Sequence, residues 1–288
     1  MTAESVTTGA GGGGSSGVPF VKGHGTENDF VLLPDPDGTL EVTPSQVRAI
    51  CDRHAGLGAD GVIRVAPAGG SVGFVMDYRN ADGSLAEMCG NGARLFARYL
   101  VDAGWAPAGR LTFETRGGAR TAQVPVAGDV TIEMGPARLG GPSSTKLSGL
   151  EIGGVAVDVG NPHLVCLTEL ELSALDLSRA PGFDPAVFPE GVNIEFVTVV
   201  GPDRVAMRVH ERGVGETRSC GTGTVAVAAA YLASTGRRTG AVQVDVPGGA
   251  VRVSIAEDDS TLTGPAVVVA SGLIDREFWE RHRYPSLG

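Results

Sequence analysis

The chain has 288 residues, 42% of them hydrophobic and 19% charged, and a formal net charge of −10. That balance suits a soluble globular protein of one large domain or two moderate ones. No Lys/Arg cluster offers a nucleic-acid face, and the most apolar run, residues 225–233, falls far short of the ~20 residues that a membrane span needs.

Residues 1–17, MTAESVTTGAGGGGSSG, read as a disordered Gly/Ser tail. The tail lacks the charged-then-apolar pattern of a secretory signal, so the expected compartment is the cytoplasm, where thiols stay reduced. Next, GHGTENDF sets Asn28 behind a Gly-containing strand segment. PSQVRAICDRH has helical spacing with Val47, Ile50 and Cys51 on one face, which makes Cys51 a small buried hydrophobe. VGFVMDYRN alternates apolar and polar residues as a half-buried strand does. EMCGNGARLFARYLVDAG opens a helix at Cys89-Gly90, LTFETRGGARTAQV reads as a hairpin closed at a Gly-Gly turn, and MGPA follows at Met134.

The same series then recurs. GNPH places Asn161, HLVCL reads as a strand that buries Cys166, and VAMRVHER alternates. SCGTGTVAVAAAYLASTG opens an almost wholly apolar helix at Cys220-Gly221, VQVDVPGGAVRVSI is the second hairpin, and TGPA closes the series. The correspondences keep their order at offsets of 129 to 133 residues, with the two cysteines 131 apart. The expectation is an α+β fold of two similar domains related by a pseudo-twofold, each a largely antiparallel sheet wrapped around a central helix. The units are expected at residues 18–133 and 134–264.

The chain has four cysteines, with no CxxC and no Cys/His pair at zinc-finger spacing, so no metal site is expected. A helix start carries unpaired N–H groups and a partial positive end, which favours a carboxylate. The same place should stabilise a thiolate and lower the thiol's pKa. Two such starts facing each other across a cleft give one thiol on each side of a substrate carbon. One thiolate removes a proton from one face and the opposite thiol returns a proton to the other, which inverts a stereocentre. In an oxidised sample a facing pair could also close into a disulfide, which reads as an artefact or an off state. A non-catalytic binder and a dithiol redox protein are the competing classes.

The segments HGTENDF, MCGNGAR, GNPH, GVNIEF and ERGVGETRSCGTGT together resemble the diaminopimelate epimerase family, over about residues 22–271. Proline racemase-like enzymes also pair thiols, but their second motif differs from the Glu-Arg-Gly and Thr217-Arg218-Ser219 that lead to Cys220 here. The resemblance implies cofactor-independent conversion of LL- to meso-2,6-diaminopimelate, feeding lysine and peptidoglycan synthesis. It also implies a small-molecule substrate, a homodimer in many members, and a C-terminal segment, here 265–288, that completes the first domain. By resemblance Cys89 and Cys220 are the base/acid pair, and His163 and Glu211 tune them. Gly90, Asn91, Gly221 and Thr222 bind the reacting carboxylate. Asn28, Asn80, Asn161, Asn193, Glu211 and Arg212 match the other substrate positions. Arg212 suits a forked grip on a distal carboxylate, and Glu211 suits an ammonium. Two positions depart from the pattern. Gly61 stands where the family often has Gln, and Ala270 stands where some members carry an aromatic used in a dimer contact.

Overall fold

The structure, a computed structural model, describes residues 17–69 and 73–284. Residues 1–16 of the expected tail, Val72 of the expected VGFVMDYRN strand and the last four residues of the expected 265–288 segment lie outside them. The first half runs β1 (Val18–Gly25), β2 (Asn28–Pro34), α1 (Pro44–Cys51), β3 (Gly61–Pro67), β4 (Phe74–Asn80), α2 (Gly90–Asp102), β5 (Gly109–Thr115), β6 (Gly118–Val124) and β7 (Val130–Glu133). The second runs β8 (Arg138–Leu147), β9 (Leu150–Asp158), β10 (Pro162–Leu167), β11 (Gly182–Phe183), β12 (Asn193–Gly201), β13 (Arg204–Glu211) and β14 (Gly215–Thr217). It continues through α3 (Gly221–Ser234), β15 (Gly240–Val246), β16 (Gly249–Ile255), β17 (Ser260–Gly264), β18 (Val267–Ile274) and α4 (Arg276–Arg281).

Strand pairing repeats between the halves. β1–β2 is antiparallel, β2–β3 parallel, β3–β4 antiparallel, β4–β5 parallel, and β5–β6 and β6–β7 antiparallel. The same alternation returns in β9–β10, β10–β12, β12–β13, β13–β15, β15–β16 and β16–β17. β8 pairs antiparallel with β9, and its counterpart β18, from the far end of the chain, pairs antiparallel with β1. β7 and β17 pair with each other, which joins the two sheets. The fold is thus α+β, in two domains of matching topology.

Each sheet curls around one helix. α2 packs on β1, β2, β3, β6, β7 and β18, and α3 packs on β9, β10, β12, β15, β16 and β17. From Gly221 to Leu232 every residue of α3 except Thr222 is buried, as an all-round apolar sequence requires. Val225, Val227 and Leu232 each contribute roughly 1.5–3 kcal/mol by leaving water, so this helix is held centrally by its whole circumference. α1 is a surface element by contrast. Thr43 and Gln46 form a reciprocal capping box, Pro44 starts the helix, and only Gln46, Val47, Ile50 and Cys51 are buried. Among the described residues no helix is long and apolar enough to cross a membrane.

Candidate active site

Cys89 and Cys220 are the residues immediately before α2 and α3, both with extended backbone angles. The two helix starts meet. A methyl added at Gly221 would lie 3.2 Å from the Gly90 Cα and 3.4 Å from the Gly90 nitrogen. Glycine at 221 therefore permits the approach, and the pseudo-twofold brings the two thiol-bearing turns together.

The first half supplies Asn28, Asn91 and Cys89. Asn28 Oδ1 accepts from the Cys89 thiol at 3.4 Å and from Asn91 Nδ2 at 3.2 Å, while Asn28 Nδ2 donates to Asp60 Oδ2 at 2.8 Å. Asp60 is itself held by Arg53, which also grips Asp29. Asn28 follows a two-residue turn in which Thr26 and Glu27 both have positive φ, at 51° and 59°. Neither is glycine, so this turn stores strain beside the site.

Contacts across the halves lock that turn. Thr26 Oγ1 lies 2.7 Å from Ser219 Oγ, and Asn91 Nδ2 donates to the Ser219 carbonyl at 3.2 Å. Arg218 pairs with Glu27 and donates to the Pro247 carbonyl at 2.7 Å. Behind them Arg94, fully buried on α2, donates to Thr26 Oγ1 and to the Pro265 carbonyl, both at 3.2 Å.

The second half supplies Asn161, His163, Thr222, Glu211 and Cys220. Thr222 Oγ1 lies 3.6 Å from Cys220 Sγ and accepts from Asn161 Nδ2 at 3.3 Å. His163, completely buried on β10, has Nε2 3.0 Å from Asn161 Oδ1 and Nδ1 2.6 Å from Glu195 Oε1. The Glu211 carboxylate accepts from Thr217 Oγ1 and faces Cys220, so its contacts place it beside the thiol.

The expected lowering of the thiol pKa is overturned in the ligand-free site. Burial pushes Cys89 up to about 11, and the N–H groups of Gly92 and Asn91 offset this only in part. Burial also raises Cys220 well above the usual thiol range, and the carboxylates of Glu211 and Glu195 add to it. Burial likewise raises the Glu211 carboxyl. Desolvation outweighs the helix ends at both sulfurs.

The remaining expected positions lie around this centre. Asn193, at the start of β12, donates to the Pro162 carbonyl and accepts from the Arg212 backbone N–H, both at 3.0 Å. It therefore pins two chain segments. Arg212 is exposed and donates from Nη1 to the Glu190 carbonyl at 3.1 Å. Asn80 ends β4, with Oδ1 accepting from the Tyr78 hydroxyl and Nδ2 donating to Ser84, both at 3.0 Å. At Gly61 a methyl would sit 2.6 Å from the Arg79 carbonyl oxygen and 2.6 Å from the Tyr78 ring. No side chain fits there, because Tyr78 fills the space. Ala270 lies in β18, whose residues are exposed up to Leu273. Glu195, Ser219, Tyr78 and Arg94 were not singled out from sequence. The signal open to such a reading was a charge inside an apolar stretch, as in NIEFV for Glu195.

A family model described as Diaminopimelate epimerase matches residues 20–140 and 155–269. The chain belongs to the diaminopimelate epimerase family. Family membership makes it an enzyme, an isomerase. A diaminopimelate epimerase from Rhodococcus jostii is 50% identical over 285 residues, covering 91% of this chain and 99% of that protein. One from Mycobacterium ulcerans is 50% identical over 287 residues, covering 92% and 99%. Among solved structures, a phenazine biosynthesis protein of the PhzF family from Bacillus anthracis matches with TM-score 0.69 at 16% identity, over 89% of this chain and 98% of that one. A hydroxyproline epimerase from Agrobacterium vitis matches with TM-score 0.65 at 16% identity, over 90% and 92%. At such identity these two structures speak for the fold alone.

Proposed function

We propose that this enzyme interconverts LL- and meso-2,6-diaminopimelate by two-base proton transfer between Cys89 and Cys220, in lysine and peptidoglycan precursor synthesis. One thiolate takes the α-proton from one face of the substrate. The resulting carbanion takes a proton from the opposite thiol, which leaves the two cysteines with exchanged protonation states and the stereocentre inverted. The N–H groups at Gly90, Asn91, Gly221 and Thr222 hold the reacting carboxylate and stabilise the charge that spreads onto it. Arg212 takes the distal carboxylate. The observation that carries the reading is the meeting of two cysteine-capped helix starts at Gly90 and Gly221.

The same reading gives a cytoplasmic homodimer that needs no cofactor. Its units divide at 133/134 and 264/265, a division supported by the β18–β1 ladder. The test is Cys89→Ala and Cys220→Ala, assayed for LL-to-meso turnover and for α-proton exchange in deuterated water. Each replacement should remove turnover, and undiminished epimerisation by either variant would sink the proposal. Proline, offered in parallel, should not be turned over.

A further inference from the structure

The pseudo-twofold fails at one place beneath the thiols. β2 pairs with β3 as β10 pairs with β12, with Phe30 opposite Gly61 and His163 opposite Asn193. Two residues past Asn28 stands Phe30, and two past Asn161 stands His163. Two residues past Gly61 stands Ile63, and two past Asn193 stands Glu195. The third residue of each helix reads out the difference. A methyl at Gly92 would meet Ile63, Met76 and Phe30 at 3.0 to 3.3 Å, whereas one at Gly223 would meet Glu195 Oε1 at 2.8 Å. The α2 start therefore rests on apolar carbon, and the α3 start rests on a carboxylate and an imidazole, both completely buried.

The two asparagines face their cysteines with opposite polarity. Asn28 turns its oxygen to the Cys89 thiol, which favours the protonated sulfur. Asn161 instead has its oxygen toward His163 Nε2, so Nδ2 donates to Thr222 Oγ1. With that lone pair engaged, the Thr222 hydroxyl hydrogen is free to point at Cys220 Sγ, 3.6 Å away. Every link thus donates toward the sulfur, from His163 to Asn161 to Thr222 to Cys220. The chain requires a proton on His163 Nε2. It also requires a second proton between Nδ1 and Glu195 Oε1, the short 2.6 Å contact at its origin. Glu195 Oε2 has no partner among the described residues, so the carboxylate's one hydrogen bond is to this ring.

We infer that Glu195 is a positioning residue. Through His163 it holds Asn161 and Thr222 in a one-way chain of donors that stabilises negative charge on Cys220, a device the Cys89 side lacks. Donors aimed at the sulfur offset the two carboxylates, Glu195 and Glu211, that oppose its ionisation. The catalytic use of this charge rests on the two-thiol reading above, while the chain itself does not.

The test grafts the first half's own pair into the second, as His163→Phe/Glu195→Ile, which leaves no unpaired charge. Thr222→Val serves as a second variant that cuts the last link. Alkylation of the substrate-free protein by iodoacetamide, read by mass spectrometry at each cysteine, uses Cys89 as internal reference. The ratio of Cys220 to Cys89 modification should fall about tenfold in both variants. With diaminopimelate, kcat of the double variant should fall by about tenfold or more, with KM moved much less. In the wild-type protein, 15N spectra should show His163 Nε2 carrying a proton, and an unprotonated Nε2 overturns the inference whatever the variants do. An unchanged alkylation ratio in the folded double variant also overturns it, even where turnover is lost. If the ratio falls but the wild type does not epimerise diaminopimelate, the donor chain stands and the proposed function fails.

Discussion

Gly248→Ala is the sharpest way to separate the two helix starts without touching either thiol. Gly248 lies in the turn between β15 and β16 and packs against the Thr26–Glu27 turn of the other half. An added methyl would lie 1.9 Å from the Thr26 carbonyl oxygen and 3.1 Å from Glu27 Cβ. A comfortable carbon–oxygen approach is about 3.3 Å, so one turn must retreat by roughly 1.4 Å. Gly248 is not among the residues of positive φ, so the fault is contact and not backbone strain. The retreat pulls Thr26 from Ser219, the residue before Cys220, across a hydrogen bond of 2.7 Å. A misplacement of about 1 Å between reacting groups can cost on the order of 100-fold. Overpacking of this kind costs about 1–3 kcal/mol in stability. The assay is kcat/KM for LL-to-meso conversion beside a thermal melt, with Gly153→Ala as control, since a methyl there meets nothing within 4 Å. A Gly248→Ala enzyme that turns over within about twofold of wild type would refute the claim that this contact sets the distance between the thiols.

Burial raises the Cys89 thiol from 9.0 to about 11, so the unfolded chain gives up this proton first. The associated stability is intact below pH 9 and is lost as pH rises toward 11, and a Cys89→Ser protein, followed by denaturant melts across that range, should decline less steeply. At Asp29 burial raises the carboxyl, but hydrogen bonds from Arg53 and Lys22 more than reverse it and hold it at about 2. This depressed carboxyl contributes roughly 2 kcal/mol above pH 4, lost as pH falls toward 2. Asp29→Asn should be less stable at pH 7 and should lack that part of the acid transition. Tyr78→Phe removes the hydroxyl that orients Asn80 and leaves the ring on Phe30 in place. KM for diaminopimelate should rise by about three- to tenfold with the melting temperature little changed, and an unaltered KM would remove Asn80 from the substrate's surroundings.

The duplication was legible because it is written in spacing. Cys-Gly-x-Gly, the hairpin glycines and the asparagines recur at nearly constant offset, and the backbone obeys them in both halves. The central burial of α3 was legible from a helix with no polar face. What escaped was charge in the interior. Arg94 sits in an amphipathic helix where an Arg reads as solvent-facing, and only the fold reveals that Thr26 and Pro265 receive it. Glu195 escaped for the same reason, because its partner His163 is 32 residues away in sequence and adjacent only through the parallel β10–β12 ladder. The thiol pKa was misjudged because a helix start is visible in a sequence and depth of burial is not. Tyr78 escaped because its role follows from the absence of a side chain at Gly61.

The β18–β1 ladder has a further consequence for how the molecule is closed. Val18 pairs with Ile274, so the first and last strands of the fold lie side by side, while the second half is continuous from β8 to β17. Topologically the chain is a ring of two equal arcs, cut inside the first arc between β18 and β1. Moving the cut to the segment between β7 and β8, with a linker bridging the present ends, would give two unbroken tandem arcs. Such a circular permutant should retain every ladder. On the ribosome the native chain cannot close its first sheet until its last strand emerges, whereas the permutant could complete one arc before the other is made.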